Sequence, residues 1–198
     1  MSHNIYKDEN QFYHVAASVP MWHGLAQVSN TATIREMAAR AGIDHIRYQT
    51  VPAQTGDFSD DSSVFVCESH SKKILAMFSD EYNCASVNTL IERAEEISRA
   101  LKLHESSCIA AGVLGGDKPA KIWLQIATES TKIFNLNVDN YVMVSNSWDG
   151  SSPFQVTAGS VAVVCQNTYN MALRSGLSAR AKNTERRDVN LDSQIKEN

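Results

Sequence analysis

The chain has 198 residues, a formal net charge of -4 at pH 7 and a sequence pI near 5.8. Hydrophobic residues make up 43% of it and charged residues 20%, which is typical of a folded globular protein and excludes a disordered chain. The acidic balance excludes a global positive field that would attract nucleic acid, but it leaves room for a local basic groove.

Targeting and metal signals are weak. No apolar run approaches the roughly 20 residues of a membrane helix, and the polar start at 1–10 precedes no apolar signal region. We therefore expect a cytoplasmic protein without membrane contact. No C-x-x-C pair occurs, so the spacing of the cysteines predicts no zinc site and no cofactor. We expect reduced, buried thiols at Cys67, Cys84, Cys108 and Cys165.

The first half of the chain gives mixed local signals. The T-I-R-E string at 33–36 has the spacing of a capping box and predicts a short helix that Gly42 ends. Residues 43–51 predict a strand that Pro52 stops. Residues 54–63 are acidic without regular calcium-ligand spacing, so they predict a solvated loop.

A hairpin and a long helix follow. Two short strands at 64–67 and 74–78 flank a polar tip, which predicts a β-hairpin. Ser86 then precedes the clearest amphipathic pattern in the chain, at 87–103, where apolar residues repeat at helical spacing and charged residues occupy the opposite face. This pattern predicts a long helix that packs on a sheet.

The last part of the chain predicts strands closed by a helix. A turn at Asp149-Gly150 separates two of the strands, and 135–140 is a polar connection. The apolar run at 161–165 predicts a further strand buried on both faces, after which Asn167 or Thr168 caps the closing helix. Four other strands are predicted from alternation or short apolar runs, at 108–113, 120–127, 141–145 and 154–158.

These elements add up to an α+β fold. We expect a mainly antiparallel twisted sheet with the helix at about 87–103 packed on one face and the closing C-terminal helix against the other. No internal repeat divides the chain. We therefore expect one domain over 1–176 and a mobile polar tail over 177–198.

Catalytic patterns are few. Cys165 is the candidate nucleophile, because a helix that starts beside it could stabilise the thiolate. No histidine follows His104, however, and the surrounding apolar run is more simply a buried strand. His23 has no identifiable partner. We predict no catalytic residue, while the question whether the chain is an enzyme stays open.

Several short strings in fixed order carry a resemblance to a known family. They are V-V-C-Q-N-T at 163–168, D-G-S at 149–151, S-D-E-Y at 79–82, and W-H-G-L at 22–25 with the T-I-R-E-M helix after it. Together they resemble the phage/plasmid-like protein family, whose shared region is a domain of unknown function. The resemblance covers about residues 3–174. It implies a phage or mobile-element setting and assigns no catalytic residue.

The chain departs from the family pattern at two positions, so a role of the family's side chains at those positions does not transfer to this chain. Family members usually have a histidine where this chain has Trp148, and an arginine where it has Ala162. A looser similarity is to phage single-strand annealing recombinases, which place β-β-β-α units behind a helix and bind DNA as oligomeric rings. That similarity implies a groove in which basic side chains contact phosphates and aromatic groups stack on bases.

Three classes of function follow from the sequence. The first is a non-enzymatic single-stranded DNA-binding or annealing factor in recombination or replication, with DNA and a homo-oligomer as partners. The second is a cysteine-dependent enzyme that uses Cys165, and the third is a module that binds a host protein. For the first class, the candidate DNA contacts are Lys118, Lys121, Lys132, Arg174 and Arg180.

Overall fold

A computed structural model describes residues 4–9, 12–17, 26–28, 30–55, 58–105 and 107–181. Its helices are α1 (Ile34–Arg40), α2 (Val87–Ala100) and α3 (Gln166–Ser175), with a 3₁₀ turn at Ile43–His45. Its strands, in chain order, are β1 (His14–Ala16), β2 (Ala26–Gln27), β3 (Tyr48–Thr55), β4 (Phe58–Glu68), β5 (Ile74–Ser79), β6 (Cys108–Leu114), β7 (Lys121–Ala127), β8 (Thr131–Ile133), β9 (Leu136–Val138), β10 (Tyr141–Ser147), β11 (Phe154–Gly159) and β12 (Leu177–Ala181). The W-H-G-L string with His23, and the chain beyond 181, lie outside the described residues.

One large sheet organises the molecule. Its strand order is β12-β11-β10-β7-β6-β1-β2. Neighbouring strands pair antiparallel, except that β1 and β2 pair parallel. A second sheet has the order β3-β4-β5, and β8 pairs with β9 as a separate hairpin. The predicted α+β class and the mainly antiparallel pairing are confirmed.

Helices cover both faces of the large sheet. On one face, α1 and α2 share a core with the inward side chains of β6, β7, β10 and β11. On the other face, Tyr169 and Ala172 of α3 pack on Trp123 and Met143. The predicted long helix on the sheet is thus confirmed, although α2 ends at Ala100, three residues early. The closing helix is also confirmed.

The helix-start signals are confirmed because they are local. The Thr33 side chain accepts a hydrogen bond from the Glu36 amide, and the Glu36 carboxylate accepts one from the Thr33 amide. The Ser86 Oγ likewise accepts a hydrogen bond from the Thr89 amide at 3.0 Å. Gly42 has a φ of 73°, as the predicted helix end requires.

The predicted strand at 43–51 is confirmed only from Tyr48 onward, and the predicted loop at 54–63 is wrong because β4 begins at Phe58. The chain first makes a 3₁₀ turn, and β3 then runs through Pro52, which is tolerated because β3 is an edge strand whose register shifts between Pro52 and Ala53. Opposite that shift, β4 has extra residues between Asp60 and Val64. The Asp60 carboxylate accepts hydrogen bonds from the Ser62 amide and the Ser63 hydroxyl, so an acidic side chain stabilises this bulge.

Two polar segments near the end of the chain are also strands. The predicted connection at 135–140 contains β9 and completes the β8–β9 hairpin. Residues 177–181, placed by the sequence in a mobile tail, form β12 and pair with β11. Strand β12 has only five residues and two of them are serine or arginine, so its pattern is too short and polar to predict from sequence.

The predicted strand at 161–165 is wrong for a different reason. This segment is an irregular connection that crosses the face of the sheet, with Val163 and Cys165 buried. Instead of a neighbouring strand, the Gln125 side chain satisfies its backbone: Gln125 Nε2 donates to the Val161 carbonyl and Gln125 Oε1 accepts from the Val163 amide, both at 2.8 Å. Two of the five residues are buried and the other three are half-buried, so the predicted burial on both faces is confirmed only in part and the predicted strand pairing is wrong.

Candidate functional site at helix α3

The site rests on one row of side chains across the large sheet. Residues that pair across antiparallel strands share a face. The registers place one such row beneath and beside α3, from β1 near one edge of the sheet to β12 at the other edge: His14, Gly112, Trp123, Ser145, Gln155 and Arg180. Four of its six residues are polar although five of the six are buried, which distinguishes this face from the apolar face under α1 and α2.

Helix α3 is bound to this row by hydrogen bonds. The Tyr169 hydroxyl donates to Ser145 Oγ at 3.1 Å and accepts from Gln155 Nε2 at 3.2 Å, and all three side chains are at most 1% exposed. A buried polar network of this kind fixes the position of a helix, because each partner would be left unsatisfied if the helix moved. At the edge of the network, Lys121 Nζ lies 5.8 Å from the centre of the Tyr169 ring.

The V-V-C-Q-N-T string forms the start of α3. Thr168 Oγ1 accepts hydrogen bonds from the amides of Val164 (2.9 Å) and Cys165 (3.1 Å) and donates to the Cys165 carbonyl. Cys165, not Asn167 or Thr168, is therefore the N-cap residue. The Gln166 side chain accepts a hydrogen bond from Asn4 Nδ2 at 3.1 Å, which ties the N-terminal segment to the helix start. The string has a structural role that accounts for most of its members.

The thiol of Cys165 does not reach solvent readily. The residue is 6% exposed, and its Sγ lies 3.7 Å from Thr168 Oγ1. Burial raises the pKa of the Cys108 thiol to about 12 and that of Cys84 to about 11, which keeps both protonated at neutral pH. Within the described ranges, no group of three or more histidine, cysteine, aspartate or glutamate side chains could hold a metal ion.

The outer surface of α3 forms an open groove of about 450 Å³. Its described lining is Asn167, Asn170, Met171, Arg174 and Ser175. Met171 is 51% exposed, and the other four side chains are amides, a guanidinium and a hydroxyl. No aspartate or glutamate occurs in the sequence between Asp149 and Glu185. In a chain of net charge -4, this stretch is therefore locally positive, while α2 carries three glutamates on the opposite face.

The five predicted cations occupy three places. Lys118, in the turn between β6 and β7, and Lys121, at the start of β7, lie at one end of the sheet, where Lys118 Nζ donates to the Ile74 carbonyl at 3.0 Å. Lys132 lies on the β8–β9 hairpin, which follows the opposite end of β7. Arg174 is in the last turn of α3, and Arg180 lies beside Gln155 on β12. The structure therefore brings together only some of them.

His14, at the β1 end of the row, is buried without described hydrogen-bond partners. It is 2% exposed, its ring centre lies 5.6 Å from that of Trp123, and neither ring nitrogen has a partner among the described residues. Burial lowers the pKa of His14 to about 4, because an imidazolium ion there would lose its hydration. The neutral imidazole is the form that fits the fold.

This burial predicts a pH dependence of stability. The pKa of His14 in the folded state, about 4, lies below the value of about 6.5 expected in the unfolded state. The contribution of the neutral His14 to the free energy of unfolding is therefore complete above pH 6.5. It decreases as the pH falls from 6.5 to 4, and we expect a loss of about 3 kcal/mol in the free energy of unfolding by pH 4. Urea unfolding between pH 4 and 7 measures it. The His14→Phe variant should lack this component, whereas the exposed control His70→Gln should retain it; identical profiles for His14→Phe and the parent protein would contradict the assignment.

The comparisons with known proteins place the chain in one family. A model described as a domain of unknown function (DUF932) matches residues 74–193, which is more than half of the chain and includes the whole of α3 and β12. No curated protein and no solved structure is detectably similar. In the described part of the chain, no helix has the length and apolar content needed to cross a membrane. The chain thus belongs to the family defined by this domain of unknown function.

Proposed function

We propose that the chain binds single-stranded DNA on the outer surface of α3 and β12, and that it acts by binding rather than by catalysis. The observation that carries the proposal is the acid-free stretch from Gly150 to Ala181, in which Arg174 lines an open groove with Asn167 and Asn170, and Arg180 lies on β12 opposite Gln155. A phage or mobile-element role in recombination or replication is part of the proposal, and it rests on the resemblance of the motifs.

The chemistry of this surface suits a nucleic-acid strand. Arginine pairs with phosphate oxygens through its planar fork of N–H groups, and asparagine side chains such as Asn167 and Asn170 can donate to phosphate oxygens and can both donate to and accept from base edges. Because the whole chain is acidic, a polyanion must meet a surface from which carboxylates are missing. Helix α3 and strand β12 contain no carboxylate, whereas α2 contains Glu92, Glu95 and Glu96. Two of these three glutamates are paired with arginines, Glu95 with Arg35 and Glu96 with Arg93.

The rival classes have less support from the same geometry. Burial of Cys165 weighs against a cysteine-dependent enzyme, because a nucleophile must be reached by its substrate. A host-protein module would need an exposed apolar surface, and the exposed apolar side chains of the β8–β9 hairpin could supply one. The binding experiments below separate that case from DNA binding.

The salt dependence of binding tests the proposal. We expect a fluorescent oligo(dT) to bind the protein with an affinity that falls steeply with salt, because counterions are released from each contacted phosphate. In Arg174→Ala and in Arg180→Ala, the slope of log affinity against log salt should each time be smaller by about 0.7, the contribution of one phosphate contact to a single strand. Fluorescence anisotropy at several salt concentrations measures both quantities.

The matched control is Arg99→Ala. Arg99 is exposed on α2, on the opposite face of the sheet, and its Nε donates only a long hydrogen bond of 3.4 Å to the Glu95 carbonyl among the described contacts. The Arg99→Ala substitution removes the same charge from the chain. It should therefore change neither the affinity nor the slope of log affinity against log salt beyond a small long-range effect. Absence of oligonucleotide binding at low salt, or equal slopes for all three variants, would refute DNA binding at α3.

A further inference from the structure

Three side-chain amides, of Asn4, Gln166 and Asn170, form an amide relay that runs from the N-terminal segment into the groove on α3. Asn4 Nδ2 donates to Gln166 Oε1 at 3.1 Å, and Gln166 Nε2 donates in turn to Asn170 Oδ1 at 2.9 Å. Asn4 and Gln166 are half-buried, whereas Asn170 is exposed and lines the groove. Because an amide accepts at its oxygen and donates at its nitrogen, the direction of the first hydrogen bond sets the direction of the second.

The first member of the amide relay is held by the turn between β6 and β7. The backbone carbonyl of Asn4 accepts hydrogen bonds from the amides of Gly115 at 2.9 Å and Gly116 at 3.2 Å. Asn4 has a φ of 56°, which asparagine adopts more readily than most residues. A Cβ on Gly116 would lie 3.0 Å from Asn4 Oδ1. The side-chain oxygen of Asn4 therefore faces the turn, and its Nδ2 group faces α3.

This direction leaves a hydrogen-bond donor at the groove end of the relay. The oxygen of Asn170 is occupied by Gln166, and among the described contacts Asn170 Nδ2 has no partner. Arg174 follows one helical turn later, lines the same groove and carries only N–H donors. The part of the groove between Asn170 and Arg174 therefore offers donors to a ligand, although an asparagine alone offers a donor and an acceptor equally.

We propose that the amide relay holds the NH2 group of Asn170 outward, so that Asn170 and Arg174 together bind one phosphodiester of the DNA strand. The inference rests on the proposed function. It adds that Asn170 contacts the backbone of the strand, not a base edge, and that Asn4 and Gln166 are positioning residues for this contact. A phosphodiester has acceptors and no donors, which matches a surface of donors. Base edges carry donors as well as acceptors and match such a surface less well.

The Asn4→Asp substitution reverses the relay without changing any residue of the groove. A carboxylate only accepts hydrogen bonds, so Gln166 has to turn its Nε2 towards position 4 and its Oε1 towards Asn170. Asn170 then turns its Nδ2 inward and presents an oxygen to the phosphate. Beyond the effect of the added charge, we expect Asn4→Asp to bind oligo(dT) about 10-fold more weakly than the parent, the loss of one hydrogen bond to a charged group. Fluorescence anisotropy measures the affinity.

The control for the added charge is the same substitution in an Asn170→Ala background. Without the Asn170 amide the relay has nothing to orient, so Asn4→Asp should lower the affinity there only through its long-range charge. An abasic oligonucleotide of equal length should show the same difference between the two backgrounds, because it retains every phosphate. Gln166→Glu is a second way to reverse the last bond, since its carboxylate accepts from both Asn4 and Asn170, and a glutamate suits the first turn of a helix.

A readout without DNA separates orientation from simple tethering of the N-terminal segment. In ¹H–¹⁵N NMR spectra, the side-chain NH2 protons of Asn170 should exchange with water more slowly in Asn4→Asp and in Gln166→Glu than in the parent, because they then donate to position 166. If Asn4 only tethered the segment, its substitution would leave these protons facing water.

The outcomes that overturn the inference are distinguishable. If the parent binds oligo(dT) and Asn4→Asp has the same effect in both backgrounds, the relay does not orient Asn170, and DNA binding at α3 stands alone. If the difference between backgrounds disappears with the abasic oligonucleotide, Asn170 contacts a base edge and the phosphate assignment is wrong. Unchanged exchange of the Asn170 protons in both variants refutes the relay without reference to DNA. If the parent binds no oligonucleotide, the proposed function and this inference both fail.

Discussion

Replacing Gly112 with alanine is expected to lower the free energy of unfolding by about 3 kcal/mol. Gly112 lies in the middle of β6, paired with Trp123 of β7, and the Trp123 indole lies directly over its Cα. A Cβ there would overlap the ring, with the indole Cζ2 only 2.7 Å away. Trp123 is fully buried between β6, His14 and the core under α3, so the ring has no free space to move into.

The sign of this effect opposes ordinary strand propensity. Alanine in place of glycine within a strand normally stabilises by roughly 0.5–1 kcal/mol, because glycine loses more conformational freedom on folding. Urea unfolding followed by circular dichroism measures the change. The double variant Gly112→Ala, Trp123→Leu should recover part of the loss, since the smaller side chain vacates the space. A single variant as stable as the parent would show that the indole does not lie over Gly112.

Replacing Trp148 with alanine should have a similar or larger effect, a loss of about 3–5 kcal/mol in the free energy of unfolding. The side chain is fully buried and stacks on Tyr48 of the second sheet, with ring centres 4.1 Å apart and planes at 13°. Its Nε1 donates to the Ala85 carbonyl at 2.8 Å, just before α2. Trp148 therefore joins the end of β10, the second sheet and the approach to α2.

The conservative variant separates packing from hydrogen bonding at this position. Trp148→Phe retains much of the stacked area but leaves the Ala85 carbonyl without its donor, so we expect a loss of about 1–3 kcal/mol. The same urea titration ranks the parent, Trp148→Phe and Trp148→Ala. Equal stability of the two variants would mean that the ring area contributes little, contrary to the structure.

The elements that the sequence predicts well have their signals within a few residues. The capping box at Thr33, the Ser86 cap and the amphipathic stripe of α2 need no knowledge of the rest of the chain. The α+β class follows from them and from the alternation in β7 and β11. A further pattern in the sequence indicates the face that α3 covers. Met143, Ser145 and Ser147 share one face of β10, and the two serines mark that face as polar.

The elements that the sequence misses depend on distant partners. Nothing near 161–165 reveals that Gln125 will satisfy its backbone in place of a strand. Strand β12 exists because β11 offers an edge, not because Leu177–Ala181 has a strand pattern. The candidate site divides similarly. Arg174 and Lys132 reach one end of the sheet through the antiparallel order, while Lys118 and Lys121 reach the other, and net charge along the chain cannot distinguish them.

Amide hydrogen exchange with and without oligo(dT) tests most directly whether the outer surface of α3 and β12 binds DNA. We expect exchange to slow in peptides that cover 166–181 when the oligonucleotide is present. Peptides from Val87–Ala100, on the far side of the sheet, should exchange at the same rate in both samples. Protection confined to α2 or to the second sheet, with none at 166–181, would contradict the account.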